Sequence, residues 1–369
     1  MPKTPRVDFG AASIERLPDV VRRIGPARVF LVTDAGLLRA GLVDRVRGLL
    51  HADGLETATY DAVEPNPTTQ TLDGGADRAR AFGESTVVAL GGGSVLDTAK
   101  GVALLGANAG LGGDLTAEVA RAGWPIVAIP TTAGSGAETN GFGVIEDTSA
   151  RCKVYVGHDS VRPRHVILDP EVTLGLPPRA TAATGMDALV HGIESLASRR
   201  STPVSAAYAA QAIGLVSGNL RRAVADGTDL VARSKMLLGA HLAGLALTRS
   251  GLGLVHGIAH ALTNHTGAVH GIALSAVVDE VMTRTVAAAG EAYVAAGTAM
   301  GVGGGVEAVV AAVRELADDV GARGPLRKLG VDETMLPSIA EGALADAVTV
   351  NHPRAFGADE VVALLAERL

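Results

Sequence analysis

A change of period near residue 178 constrains this chain most. Before it, short apolar runs rich in β-branched residues recur at 6–10, 28–36, 57–60, 86–90, 125–129 and 165–168 and read as strands. Helical stretches separate the early ones, at 13–24, 37–51, from the 64–68 turn to 82, and from the 91–94 turn to 105. Strand–helix alternation is the pattern of a parallel sheet flanked by helices. Residues 141–145 and 152–156 alternate around 146–151 and predict a hairpin. After Leu176-Pro177-Pro178 the helical period takes over, in segments 180–198, 203–223, 228–247, 253–263, 270–288, 305–320, 333–347 and 358–368. The expectation is two domains: residues 1–178, α/β with a parallel Rossmann-like sheet, and residues 179–369, all-α.

Composition excludes several function classes. The chain of 369 residues is long enough for two such domains, and its 47% hydrophobic content supplies their cores. Aromatics are only 3%, so close helix packing through Gly and Ala is expected. A net charge of −7 with no basic run argues against nucleic-acid and anionic-membrane partners. The single cysteine, Cys152, cannot form an intrachain disulfide. No signal peptide is read at the start and no charge-free apolar run reaches about 18 residues, so a soluble cytoplasmic protein is expected.

Chemistry concentrates in two segments of the helical half, GMDALVHGIES (185–195) and GLVHGIAHALTNHTGAVHG (253–271). Asp187 and His191 are four apart, as are His256 and His260, so each pair shares a helix face. The turn-like composition of 263–267 lets the chain fold back and bring His270 toward the same point. One carboxylate with two or three imidazoles suits a divalent first-row ion such as Fe(II) or Zn(II). The competing reading is a set of cap and core histidines. Five of the ten histidines fall in these segments, which favours the metal.

The α/β half carries an anion-binding signal. GGGSVLDTAK (91–100) follows a strand and opens a helix, so glycine amides and a helix N-terminus face one point, suited to a pyrophosphate. TTAGSGAE (131–138) also follows a strand, and its hydroxyls suit phosphate, ribose or nicotinamide. Asp34 ends the second strand. There it can accept from an adenosine ribose and repel a 2′-phosphate, or it can be a helix cap.

These segments resemble the iron-containing (group III) alcohol dehydrogenases, with their Asp-x3-His, GLxHxxAHxL and His-Gly stretches, and the likeness runs over nearly the whole chain. It implies the dehydroquinate synthase-like, iron alcohol dehydrogenase fold. It implies Asp187, His191, His256 and His270 as metal ligands, with His260 beside the metal. For the cofactor it implies NAD over NADP, with contacts from Asp34, Asn66, Gly92, Gly93, Ser94, Asp97, Thr131, Thr132, Ser135 and Lys153. The domains become a dinucleotide-binding domain and a metal-binding, catalytic domain. The metal is Fe(II), with Zn(II) as the alternative. A departure is NHPRAF (351–356), where His352 interrupts the family's Asn-Pro-Arg and Ala355 replaces a proline.

The function so implied is metal-dependent hydride transfer between NAD(H) and an alcohol/aldehyde or ketone pair. His260 relays the proton as the catalytic acid–base group. A small-molecule substrate and a homodimer are the expected partners, the dimer also because the short first strand could pair across chains. Three alternatives stand beside this reading. The first is a maleylacetate-reductase-like enzyme binding an acidic substrate through Arg151, Lys153, His265 and Arg354. The second is a dehydroquinate-synthase-like lyase. The third is a non-enzymatic NAD-binding module.

Overall fold

The computed structural model describes residues 5–108, 119–148 and 152–369. The chain forms two compact units. One comprises Met1–Thr132 and Ala137–Gly175, the other Ala133–Gly136 and Leu176–Leu369.

The first unit runs β1 (Arg6–Phe9), α1 (Leu17–Ile24), β2 (Arg28–Val32), α2 (Ala35–Arg39), α3 (Leu42–Ala52), β3 (Glu56–Tyr60), α4 (Thr69–Phe82), β4 (Thr86–Gly91), α5 (Gly93–Ala107), β5 (Ile126–Pro130), β6 (Phe142–Asp147), β7 (Cys152–Gly157) and β8 (His165–Leu168). Six strands form a parallel sheet in the order β1-β8-β5-β4-β2-β3. Side chains alternate across it. Val29, Leu31, Val88, Leu90, Val127 and Ile129 share one core with Val20 and Val21 of α1 and Val43, Val46 and Leu50 of α3. The opposite face meets α4 and α5. The expected hairpin forms from β6 and β7, paired antiparallel; its residues 149–151 lie outside those described.

Two expectations need correction here. The helix expected over 37–51 is broken: Gly41, at φ 76°, ends α2 and starts α3. Residues 13–16 form a 3-10 turn, so the first helix begins only at Leu17, with Pro18 in its first turn.

The second unit holds α6 (Pro178–Ala197), α7 (Pro203–Ala225), α8 (Leu230–Ser250), α9 (Leu254–Thr266), α10 (His270–Met300), α11 (Val306–Asp319), α12 (Leu336–Ala345) and α13 (Ala358–Ala366). By length and composition α8 could cross a membrane, but it packs as a core helix on α6 and α7. α9 continues through Thr266, so the expected turn at 263–267 narrows to a reversal at Gly267, whose φ is 68°. α10 runs past the expected end at 288 to Met300, absorbing a local non-helical conformation at Ala289. Small residues let the helices touch: a Cβ on Gly271 would lie 2.0 Å from the carbonyl oxygen of Ala183 in α6.

Candidate active site

The second unit brings four of the sequence-selected side chains together. Asp187 and His191 project from one face of α6, His256 lies in the first turn of α9, and His270 is the first residue of α10. Asp187 Oδ1 stands 3.3 Å from His191 Nε2, 3.5 Å from His256 Nε2 and 3.8 Å from His270 Nε2. The His191 and His256 rings stack at 4.7 Å. Ligand atoms each about 2.0–2.2 Å from one tetrahedral ion stand roughly 3.3 Å apart, so this spacing fits a shared cation. Asp187 Oδ1 and His256 Nε2 are buried and make no hydrogen bond, though they face each other. Buried polar atoms are normally satisfied, and here a cation would satisfy both. Asp187, His256 and His270 offer ligand atoms within 4.8 Å of one another.

Electrostatics agree with that fit. Burial would push the Asp187 carboxyl up, but the surrounding imidazoles, His191 foremost, hold it well below the usual carboxylate range. Burial drops His191 to about 4 and His270 to about 3. It works against a charge on His256 too, yet Asp187 and Glu194 outweigh it and raise His256 to about 9. The centre therefore favours positive charge while leaving two imidazoles neutral, the form that ligates metals.

Glu194 was missed from the sequence. Its Oε2 lies 2.6 Å from His256 Nδ1, and its carboxylate also accepts from the amides of Gly253 (3.1 Å) and Val255 (2.8 Å). The available signal was its place seven residues after Asp187 on the same helical face. His260 points elsewhere: its Nδ1 is 2.7 Å from Asp346, a second residue not anticipated, and its ring stacks on His270 at 5.3 Å. Burial would raise Asp346, but the His260 imidazole outweighs it and keeps that carboxyl low.

The first unit assembles the glycine turn. Gly92 precedes α5, and no side chain caps that helix, so the first-turn amides of Gly93 and Ser94 present an anion site. A Cβ on Gly92 would come within 3.1 Å of Thr132, so glycine keeps this cradle open. The Thr131 amide, one residue past β5, donates to Gly91 O at 3.0 Å, at the end of β4. Asn66, at φ 55°, accepts from Lys153 Nζ (3.4 Å), which also pairs with Glu146 (3.5 Å). Lys153 is thus a nearly buried tie between turn and hairpin. Asp97 accepts from Val144 N (3.1 Å) and from the buried Lys100 (3.2 Å), fastening the hairpin to α5. Asp34 caps α2, its Oδ1 accepting from Gly36 N (2.7 Å) and Leu37 N (3.1 Å). Ser135 lies in the Ala133–Gly136 segment of the second unit.

Comparison with known proteins places the chain in a family. Residues 4–170 match the family described as "Iron-containing alcohol dehydrogenase", and residues 181–369 match "Fe-containing alcohol dehydrogenase family, C-terminal". The chain belongs to the iron-containing alcohol dehydrogenase family. It is 35% identical to the lactaldehyde reductase of Escherichia coli (strain K12) over 367 residues, 96% of each chain. It is 31% identical to the NAD-dependent methanol dehydrogenase of Bacillus methanolicus, over 99% of this chain and 98% of that one. The crystal structure of a 1,3-propanediol oxidoreductase superposes over 100% of both chains with a TM-score of 0.95 at 34% identity. The protein is therefore an oxidoreductase with this family's two-part fold.

Within this iron-containing alcohol dehydrogenase, the residues considered for an acidic substrate have other partners. Lys153 holds Glu146, His265 contacts Ser338 (3.0 Å), and Arg354 pairs with Glu360 and lies over Phe356. Arg151 lies outside the described residues. His352, the departure in the late motif, is buried; its Nδ1 accepts from Leu254 N at 3.2 Å.

Proposed function

We propose that the protein is an NAD(H)-linked, Fe(II)-dependent alcohol dehydrogenase interconverting a small alcohol and its aldehyde or ketone. The observation that carries this reading is the pair of unsatisfied buried atoms, Asp187 Oδ1 and His256 Nε2, with His191 and His270 Nε2 beside them. Asp187, His191, His256 and His270 would hold the ion. Fe(II) is favoured by the family's description; Zn(II) would suit the same donors. When bound, the ion supplies Lewis acidity toward the substrate oxygen, and NAD(H) gives or accepts the hydride.

The protein's own groups divide the remaining work. The first-turn amides of α5 and the space kept by Gly92 bind and orient the cofactor's phosphates, with Thr132 beside them. The negative charge of Asp34 at the end of β2 favours ribose hydroxyls and opposes a 2′-phosphate; its capping bonds both fall on Oδ1, so cap and ribose acceptor are compatible roles. A relative named as NAD-dependent supports the same preference. His260, oriented by Asp346, exchanges the substrate proton. Relatives named for lactaldehyde and methanol support a short substrate. A homodimer and a cytoplasmic location complete the reading, the latter checked by cell fractionation.

The test is steady-state NADH formation or loss with short alcohols and aldehydes on Fe(II)-loaded protein, with NADP(H) in parallel. Turnover with NAD(H) is expected, and elemental analysis of His256→Ala should find the metal gone. Absence of any coenzyme change across the series would sink the activity. Full metal stoichiometry in His256→Ala would redraw the ligand set, and preference for NADPH would leave Asp34 as a cap alone.

A further inference from the structure

No side chain at the Gly253 cap closes α9, yet its first amides are satisfied from elsewhere. Gly253 N and Val255 N donate to Glu194 of α6, and Leu254 N donates to His352. His352 is itself held from α10, with Nε2 3.1 Å from Thr285 Oγ1. A helix N-terminus favours a carboxylate, so Glu194 is seated independently of His256. The same Oε2 that takes the Gly253 amide meets His256 Nδ1 at 2.6 Å.

We propose that Glu194, seated on the start of α9 beside His352, is a positioning residue that fixes His256 as an Nε2 donor and so sets how tightly the divalent ion is held. An imidazole can carry its proton on either nitrogen. With Nδ1–H given to a buried carboxylate, the lone pair is left on Nε2 and that nitrogen becomes more basic. His256 Nε2 is the atom found without a hydrogen-bond partner, 3.5 Å from Asp187 Oδ1. Gly253 makes the seating possible. A Cβ there would stand 2.8 Å from His352 Nδ1 and 2.9 Å from Glu194 Oε1, displacing both. His352 adds to the cap by taking the Leu254 amide, which Glu194 does not reach. This proposal rests on the four-ligand reading above.

The experiment titrates metal-stripped, full-length protein with Zn(II) against a chromophoric chelator. Glu194→Gln keeps the shape but cannot accept from the amides and from His256 at once. Its Zn(II) affinity should fall by roughly 10–100-fold, the range typical of such partners, with the far-ultraviolet circular dichroism unchanged. In the Zn(II)-loaded wild type, 15N NMR should find the His256 proton on Nδ1 and exchanging slowly; in Glu194→Gln that protection should be lost, which a purely structural role would not cause. An affinity within about threefold of wild type overturns the proposal, since the typical loss is larger. If Glu194→Gln fails to fold, Gly253→Ala decides: it keeps every ligand and should weaken Zn(II) in the same direction, and unchanged affinity overturns the proposal. His256→Ala separates the two readings. If wild type binds one equivalent and His256→Ala none, the centre stands whatever Glu194 does. If wild type binds none, both fall.

Discussion

His260 sits one turn beyond His256 on α9, yet its Nδ1 meets Asp346 rather than the Asp187 carboxylate. Replacing it with alanine takes nothing from the three imidazole nitrogens around Asp187 Oδ1. His260→Ala should therefore keep its metal by elemental analysis and lose turnover by ~10²–10⁴-fold, the usual weight of acid–base catalysis. Loss of metal would make His260 a ligand, and normal turnover would make it a wall of the pocket. His352 carries a pH dependence of stability. Burial pushes it down to about 4, with Arg354 and Arg199 acting in the same direction and Glu194 opposing. Tyr293 lines a small cavity together with His352 and Glu194. The unfolded chain takes up this proton near 6.5, whereas the fold does not until about 4. Stability is therefore full above that unfolded value and falls as pH drops through the window, by at most about 3 kcal/mol. Urea titrations of metal-free protein at pH 7 and 4.5 should find a smaller drop in His352→Gln than in wild type; an equal drop would assign the loss to other groups.

At the scale of elements, the contact of α10 with α6 controls whether His270 reaches Asp187. Gly271 follows His270, and a Cβ there would meet backbone, the Ala183 carbonyl carbon at 2.5 Å and its oxygen at 2.0 Å. Backbone cannot swing aside as a side-chain end can. Gly271→Ala should cost about 1–3 kcal/mol in urea unfolding and should also lower metal retention; a variant with both unchanged would mean the helices can separate freely. The His-Gly pair was legible in the sequence as a motif, but the reason for its glycine was not, because periodicity carries no information about which helices touch. The same limit explains Glu194 and Asp346. Asp187 and His191 were found because i,i+4 spacing is local, whereas Glu194 reaches His256 across sixty-two residues and Asp346 reaches His260 across eighty-six. The sheet and most helices were legible because their periods are local too. The break at Gly41 was not, since an apolar period passes smoothly over one left-handed glycine.

At the scale of the molecule, β1 is an edge strand that exposes Val7 and Phe9, 42% and 45% accessible, on its rim of the sheet. A free edge bearing apolar side chains is a pairing surface. Although β1 pairs within its own chain, its outer edge can still meet a second copy. Sedimentation at micromolar concentration should find a dimer in wild type and monomer in Phe9→Asp; a wild-type monomer contradicts the assembly. The same strand has a history as well as a place. Among the described residues its only ladder is with β8, from Arg6 opposite His165 to Phe9 opposite Leu168. The strand made first must therefore wait for the strand made last. At ribosomal rates of about 5–20 residues per second, that wait is roughly ten to thirty seconds. Through it the nascent chain trails an unpaired strand carrying Val7 and Phe9, the same side chains that stay exposed once the sheet has closed, and a neighbouring nascent chain on the same message would meet them first.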